Sequence, residues 1–252
     1  MSDDFARAHQ LLAELTSSDY RDRTEDPDDP STVQAMQLAI NLPKQDPPAR
    51  NAVLCSAARA TAAVCLDPRA GTDGFWRERL AAWYSHRIRK VARRARNKAW
   101  DDVQHLPGVT IGAVRAFVPS AVSEVPHEVA KLQIKGTELD DATTPAPLNP
   151  TAPTILLDAS LGMTLGKAAA QVGHASMLYA AALSLDEARA WRDAGFAVNV
   201  REVGADEFVA QLQAQLGAPG AVPVRDAGFT EVAPGSVTAL ALPLGAYTEP
   251  EV

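Results

Sequence analysis

Lys167, Gln171 and His174 fall on one face of a predicted helix, at i, i+4 and i+7 of Gly166-Lys167-Ala168-Ala169-Ala170-Gln171-Val172-Gly173-His174-Ala175. The first N–H groups of a helix have no partner inside it, and that end carries about half a positive charge. A lysine in the first turn adds a whole one. Together they suit a phosphate or the oxyanion of an ester under attack. Farther along, Val222-Pro223-Val224-Arg225-Asp226 reads as a strand closing on an aspartate, followed by the turn Ala227-Gly228 and by Thr230. Ligands of open α/β sheets gather at such carboxyl ends. Taken singly, the same residues have plainer readings: a solvated lysine, a hydrogen-bonded structural histidine and an Asx-turn aspartate.

The elements that must position these groups follow from periodicity. Thr154–Asp158 is a predicted strand, 166–184 and 186–194 helices, 196–202 a strand, 205–216 a helix, and 222–226 and 237–243 strands. Upstream, Phe5–Leu15 has helical spacing, Val33–Ile40 reads as helix or strand with Met36–Ile40 the best strand candidate, and Asn51–Leu66, Phe75–Tyr84 and Asn97–Leu106 read as helices. Val114–Val118 and Val129–Ile134 complete the upstream strands, and the pattern of Ile88–Ala95 leaves strand and helix open. Alanine-rich helices and few aromatic residues favour close packing on a sheet. The fold class expected is α/β: two small α/β/α layered domains, each a mixed, about four-stranded sheet with helices on both faces, related by internal duplication. The boundaries expected are 1–30 for a helix and acidic linker, 31–136 for a first α/β domain, 137–153 for a Pro/Thr-rich linker and 154–252 for a second domain. Duplication is suggested by Trp83 and Trp191, by Trp100 and Phe208, and by Val129 and Val237, each pair 108 positions apart.

The two motifs together, helix start and aspartate hairpin, resemble the type II peptidyl-tRNA hydrolases over about residues 153–245. That family carries G-K-x-A-A-Q-x-x-H-A and D-A-G-x-T-x-x-x-P-G-S. The resemblance implies an enzyme that cleaves the ester between a peptide, or an N-blocked amino acid, and tRNA. It implies catalytic roles for Lys167, Asp226 and His174, substrate contacts from Gly166, Gln171 and Thr230, and no cofactor or metal. It also favours a strand at 88–95. The pattern departs at Phe229, where the family usually has arginine, and at Glu231, where it has glutamine. These departures leave a second expectation standing, a non-catalytic RNA- or protein-binding module on the same fold. Family members made of one such domain work as homodimers, so two copies in one chain imply an intramolecular pseudo-dimer and a monomeric protein. The N-terminal copy lacks the motif: with the helix starts aligned, Arg50 falls opposite Lys167.

The chain of 252 residues has a formal net charge of −7, with acid concentrated in 19–30 and 138–141. Base is concentrated in Arg87, Arg89, Lys90, Arg93, Arg94 and Arg96, a stripe that could meet a tRNA backbone or could be a solvated face. Two cysteines without metal-site spacing, no basic–apolar leader and no apolar run of the ~20 residues needed to span a bilayer lead to the expectation of a cytoplasmic protein without a membrane partner.

Overall fold

The structure is a computed structural model, and it describes residues 3–17, 25–139, 146–225 and 236–249. Two mixed sheets form the frame. The first contains β1 (Gln34–Asn41), β2 (Arg89–Ala95), β3 (Gly108–Ile111), β4 (Val114–Phe117) and the short β5 (Ser120–Ala121). The second contains β6 (Thr154–Asp158), β7 (Asn199–Val203), β8 (Val222–Arg225) and β9 (Val237–Leu242). Their orders are β2-β1-β4-β3 and β7-β6-β9-β8, with β5 added beside β1. In each sheet the first two strands are parallel and the remaining neighbours antiparallel, so the two sheets share one topology.

The helices are α1 (Asp4–Thr16), α2 (Arg50–Cys65), α3 (Pro68–Gly71), α4 (Phe75–Tyr84), α5 (Lys98–Asp102), α6 (His127–Ala130), α7 (Leu165–Ala182), α8 (Leu185–Asp193) and α9 (Ala205–Ala214). Strand alternation sorts their packing. Leu38 and Ile40 of β1, and Ile155 and Leu157 of β6, enter one continuous core with α1, α2, α4 and α7. The intervening Ala39 and Leu156 face outward into two smaller clusters, one holding Val103, Phe117 and Val129 and the other holding Phe208 of α9. The large core therefore crosses from one sheet to the other. Both long helices lie in it: the Ser176 hydroxyl of α7 donates to the Ala58 carbonyl of α2 at 2.7 Å. Ala152 is buried, and Asn149 bonds Asn199, so the residues leading into β6 are seated against the second sheet.

The predicted strand at 129–134 is replaced by a helical turn. The Pro126 carbonyl accepts from the N–H groups of Val129 and Ala130 at 2.9 and 2.8 Å, and Val129 and Leu132 are buried in the outer cluster. The segment's backbone pairing with the sheet is reduced to an isolated bridge between Gln133 and Arg94. The missing strand is β3, which the turn signal Pro107-Gly108 concealed. It forms a tight hairpin with β4 in which Ile111 faces Val114 across Gly112 (φ +54°) and Ala113. By sheet position β4 corresponds to β9, so the spacing of 108 does not reach the last strands. It does hold for two tryptophans: Trp83 and Trp191 each donate the indole N–H to a carbonyl six residues on, Arg89 and Ala197.

Candidate active site

β6 ends at Asp158, and a short 3₁₀ turn closes on Gly162 in the left-handed region (φ 55°). Thr164 then caps α7, its hydroxyl accepting from the Lys167 N–H at 3.4 Å. Lys167 is half-buried in the first turn. One turn on, Gln171 is fixed by the buried Thr238 of β9, whose hydroxyl donates to the Gln171 Oε1 at 2.8 Å. The carboxyl ends of β6 and β8, the amino end of β9 and the start of α7 lie at one edge of the second sheet. Small residues permit this closeness: Ala168, Ala169 and Gly173 are all buried.

The N-terminal half holds the start of α7 from the other side. Arg50 at the start of α2 donates Nη2 to the Met163 carbonyl at 2.9 Å and engages Glu202 of β7 through Nε and Nη2, both at 2.8 Å. Thr137, with 2% of its surface exposed, offers Oγ1 to the Gly166 N–H at 3.3 Å. A Cβ on Gly166 would meet that Oγ1 at 3.3 Å and Ala92 at 3.5 Å, so glycine lets the two halves approach. Two of the first N–H groups of α7 are thus occupied by Thr164 and Thr137, and the charge that Lys167 brings to this end is carried chiefly by its ammonium.

His174 lies two turns along α7, about 10 Å from Lys167 along the axis. Burial pushes its imidazole well below the usual histidine range, and the neighbouring Lys90 lowers it further. His174 is therefore neutral at pH 7. Lys90 is itself perturbed: desolvation lowers its ammonium to about 7. Its Nζ sits 4.9 Å from the Trp83 ring centre and 3.9 Å from the Met177 sulfur.

The other stripe residues are largely engaged within the protein. Arg89 forks onto Glu25, whose carboxylate is 1% exposed, and Arg87 Nε lies 3.3 Å from the same group. Burial alone would raise the Glu25 pKa, but the Arg89 hydrogen bond and the two guanidinium charges hold it below the ordinary value. Arg93 donates to Gln37 and to the Ala130 and Leu132 carbonyls, Arg94 to Gln133 and the Gly136 carbonyl, and Arg96 to the Leu42 carbonyl at 2.5 Å. These arginines therefore have acceptors within the protein. The sequence signal was correct about charge and silent about partners.

Asp226 and Thr230, with Phe229 and Glu231, lie outside the described residues. Sequence motifs single out neither Thr238 nor Thr137, and they mark Arg50 only as the residue opposite Lys167, not as a partner of Met163 and Glu202. Thr238 follows the hairpin motif and could have been flagged by proximity, whereas Thr137 and Arg50 come from the other half and carry no local signal. Among the described residues no group of three or more histidine, cysteine or acidic side chains could hold a metal ion, and no helix is long and apolar enough to cross a membrane.

The family model for peptidyl-tRNA hydrolase PTH2 matches residues 153–248. The chain is 38% identical over 93 residues to a probable peptidyl-tRNA hydrolase 2 of Schizosaccharomyces pombe, an alignment covering 35% of this chain and 45% of that protein. It is 36% identical over 91 residues to a peptidyl-tRNA hydrolase of Haloquadratum walsbyi, covering 35% of this chain and 80% of that one. Both alignments leave most of this chain unmatched, and the first takes in less than half of the yeast protein's own length.

Proposed function

The chain belongs to the peptidyl-tRNA hydrolase PTH2 family, and on that premise we propose that it hydrolyses the ester joining a peptide, or an N-blocked amino acid, to the 3′ ribose of tRNA. The observation that carries this reading is the convergence of the start of α7, which bears Lys167, with the carboxyl end of β8, which leads directly into Asp226.

In this reading Asp226 takes a proton from water as the water oxygen bonds the ester carbonyl carbon. Lys167 stabilises the negative charge that develops on the carbonyl oxygen. The carbon–oxygen bond to the ribose then breaks, and the proton passes from Asp226 to the leaving 3′ oxygen. Gln171, held by Thr238, and Gly166 and Thr230 line the substrate's approach. His174 acts as a neutral hydrogen-bonding group set back along the helix, so its loss costs less than that of Lys167.

The N-terminal half stands where a second subunit would stand, through an internal duplication that lost its own site. Two features support this. The sheets share one topology. With the observed starts of α2 and α7 aligned, Arg50 falls opposite Leu165 and not Lys167, and the contacts Ala58–Ser176 and Thr61–Gly173 exchange with one another, the reciprocity of a twofold interface. The domains are then 31–136 and 154–252, joined through 137–153.

The experiment is turnover of N-blocked aminoacyl-tRNA by the purified full chain. Lys167→Ala and Asp226→Ala should each reduce turnover ~100-fold or more, as loss of a charge-stabilising group does. Binding of tRNA without any turnover by the unmutated protein would instead favour a non-catalytic RNA-binding module, the reading that Phe229 and Glu231 favour.

A further inference from the structure

The N-terminal half carries a shallow, open depression one residue short of Thr137, which touches the start of α7. Residues 132–137 form a strap fastened at several points. Leu132 is buried in the outer cluster, and Gln133 bridges Arg94 on the edge strand β2. Gly136 turns in the left-handed region (φ 74°), and its carbonyl accepts from Arg94 Nη1 at 3.0 Å. Thr137 ends the strap on the Gly166 N–H. Between these fastenings Ile134 is 56% exposed and Lys135 is exposed. With Arg93, Leu132, Gln133 and Gly136 they line this depression, a volume of about 530 Å³. Glu138 follows Thr137 and does not line it.

We propose that this strap is a binding subsite for the single-stranded 3′ end of an RNA, with Lys135 and Arg93 meeting a phosphate and Ile134 packing against a ribose or base. The proposal rests on the hydrolase reading and extends it to a half of the chain that the family match does not cover. Charge and continuity choose the occupant. Lys135 lies two residues from Thr137, about 7 Å of chain, and Thr137 touches the helix that bears Lys167. Of the two sides of a peptidyl-tRNA ester only the RNA side carries an obligatory anion near the bond, so a cationic depression at this place suits the RNA and not the peptide. The −7 charge of the whole chain makes a local pair of cations the more telling. Fastening at both ends also leaves little ordering cost on binding.

The test is the affinity of the full chain for a short single-stranded RNA with a free 3′ hydroxyl and a 5′ fluorophore, with an acidic peptide of equal charge as the competing probe. Lys135→Glu and Ile134→Ser should each weaken RNA binding at least 5-fold, and Lys135→Glu should also lower the salt dependence by about one phosphate contact. The exposed Lys44→Glu serves as a charge-matched control and should change affinity less than 2-fold. Unaltered melting temperatures would exclude unfolding as the cause. The proposal is overturned if the unmutated protein does not bind the RNA, if the strap variants bind it like the unmutated protein or like Lys44→Glu, or if the acidic peptide binds more tightly. Turnover by the unmutated protein is read separately. RNA binding through the strap without hydrolysis sinks the catalytic reading alone, and hydrolysis with strap-independent RNA affinity sinks this one alone.

Discussion

Lys90 shows how one side chain can be misread from charge alone. In the sequence it sits among arginines and reads as one more cation for RNA. In the fold it packs between the halves, where desolvation lowers its ammonium to about 7, against an ordinary 10.5. No carboxylate among the described residues compensates it; a tryptophan ring and a thioether sulfur are its neighbours. The sign of the effect on stability follows. Between about pH 7 and 10.5 the unfolded chain holds a proton that the folded chain does not, so stability rises with pH across that window. His174 acts in the same sense below its ordinary 6.5, because the folded imidazole resists protonation. Lys90→Met keeps the length and apolar stem and removes the charge. It should stabilise the protein by about 1–2 kcal/mol near pH 7, with the gain fading toward pH 10. Chemical denaturation at pH 7, 8.5 and 10 measures this; a variant that is less stable at pH 7 would show that Lys90 contributes more by its contacts than it costs by its burial.

At the scale of elements, what was legible is what local chemistry decides. The helix 166–184 was expected and α7 spans Leu165–Ala182; 75–84 was expected and α4 has those bounds. Unbroken alanine-rich or amphipathic runs carry their own answer. The segment 129–134 differs from the expected strand because Val129, Leu132 and Ile134, interrupted by Lys131 and Gln133, suit a strand, while Val129 and Leu132, three apart, equally suit the covered face of a helical turn, and Pro126 selects the turn. β3 carries little sequence signal because Pro107-Gly108 reads as a turn and leaves only the three residues Val109–Ile111 before Gly112. Of the candidate site, the α7 face was legible as a motif, while Arg50 and Thr137 were not, since their role exists only once the halves meet. That meeting depends on close approach of α2 and α7. A Cβ on Gly173 would lie 2.8 Å from Thr61 Oγ1 and 3.2 Å from Lys90 Cδ. Gly173→Val should therefore cost about 2–3 kcal/mol through overpacking, more than the gain in helix propensity can offset. Thermal unfolding reads the cost, and a variant as stable as the parent would mean that the helices are packed more loosely than these distances imply.

At the scale of the molecule, the shared core fixes what the chain can do as an assembly. Buried residues of β1, α2 and α4 and buried residues of β6, α7 and α8 belong to one cluster, and α1 closes it, with His9 Nε2 lying 3.0 Å from the Ala180 carbonyl. An isolated second half would expose the face of α7 that bears Gly166, Gly173, Met177 and Ala180, which here meet Thr137, Thr61, Lys90 and His9 of the rest of the chain. Contiguous apolar surface of that kind drives association or unfolding. The first half covers it within the same chain, and tethering holds it there at an effective concentration of about millimolar order, above that of any second chain. On the pseudo-dimer proposal the first half already occupies the α7 face that a second subunit would cover. The full chain should run as a monomer of 26.8 kDa by light scattering at micromolar concentration. The segment expressed from Ala152 should self-associate or unfold at lower temperature, and adding the separately produced first half should restore a one-to-one complex. A stable dimer of the full chain at about twice the monomer mass would defeat the pseudo-dimer reading, because it would require an interface that the intramolecular packing of α2 on α7 already occupies.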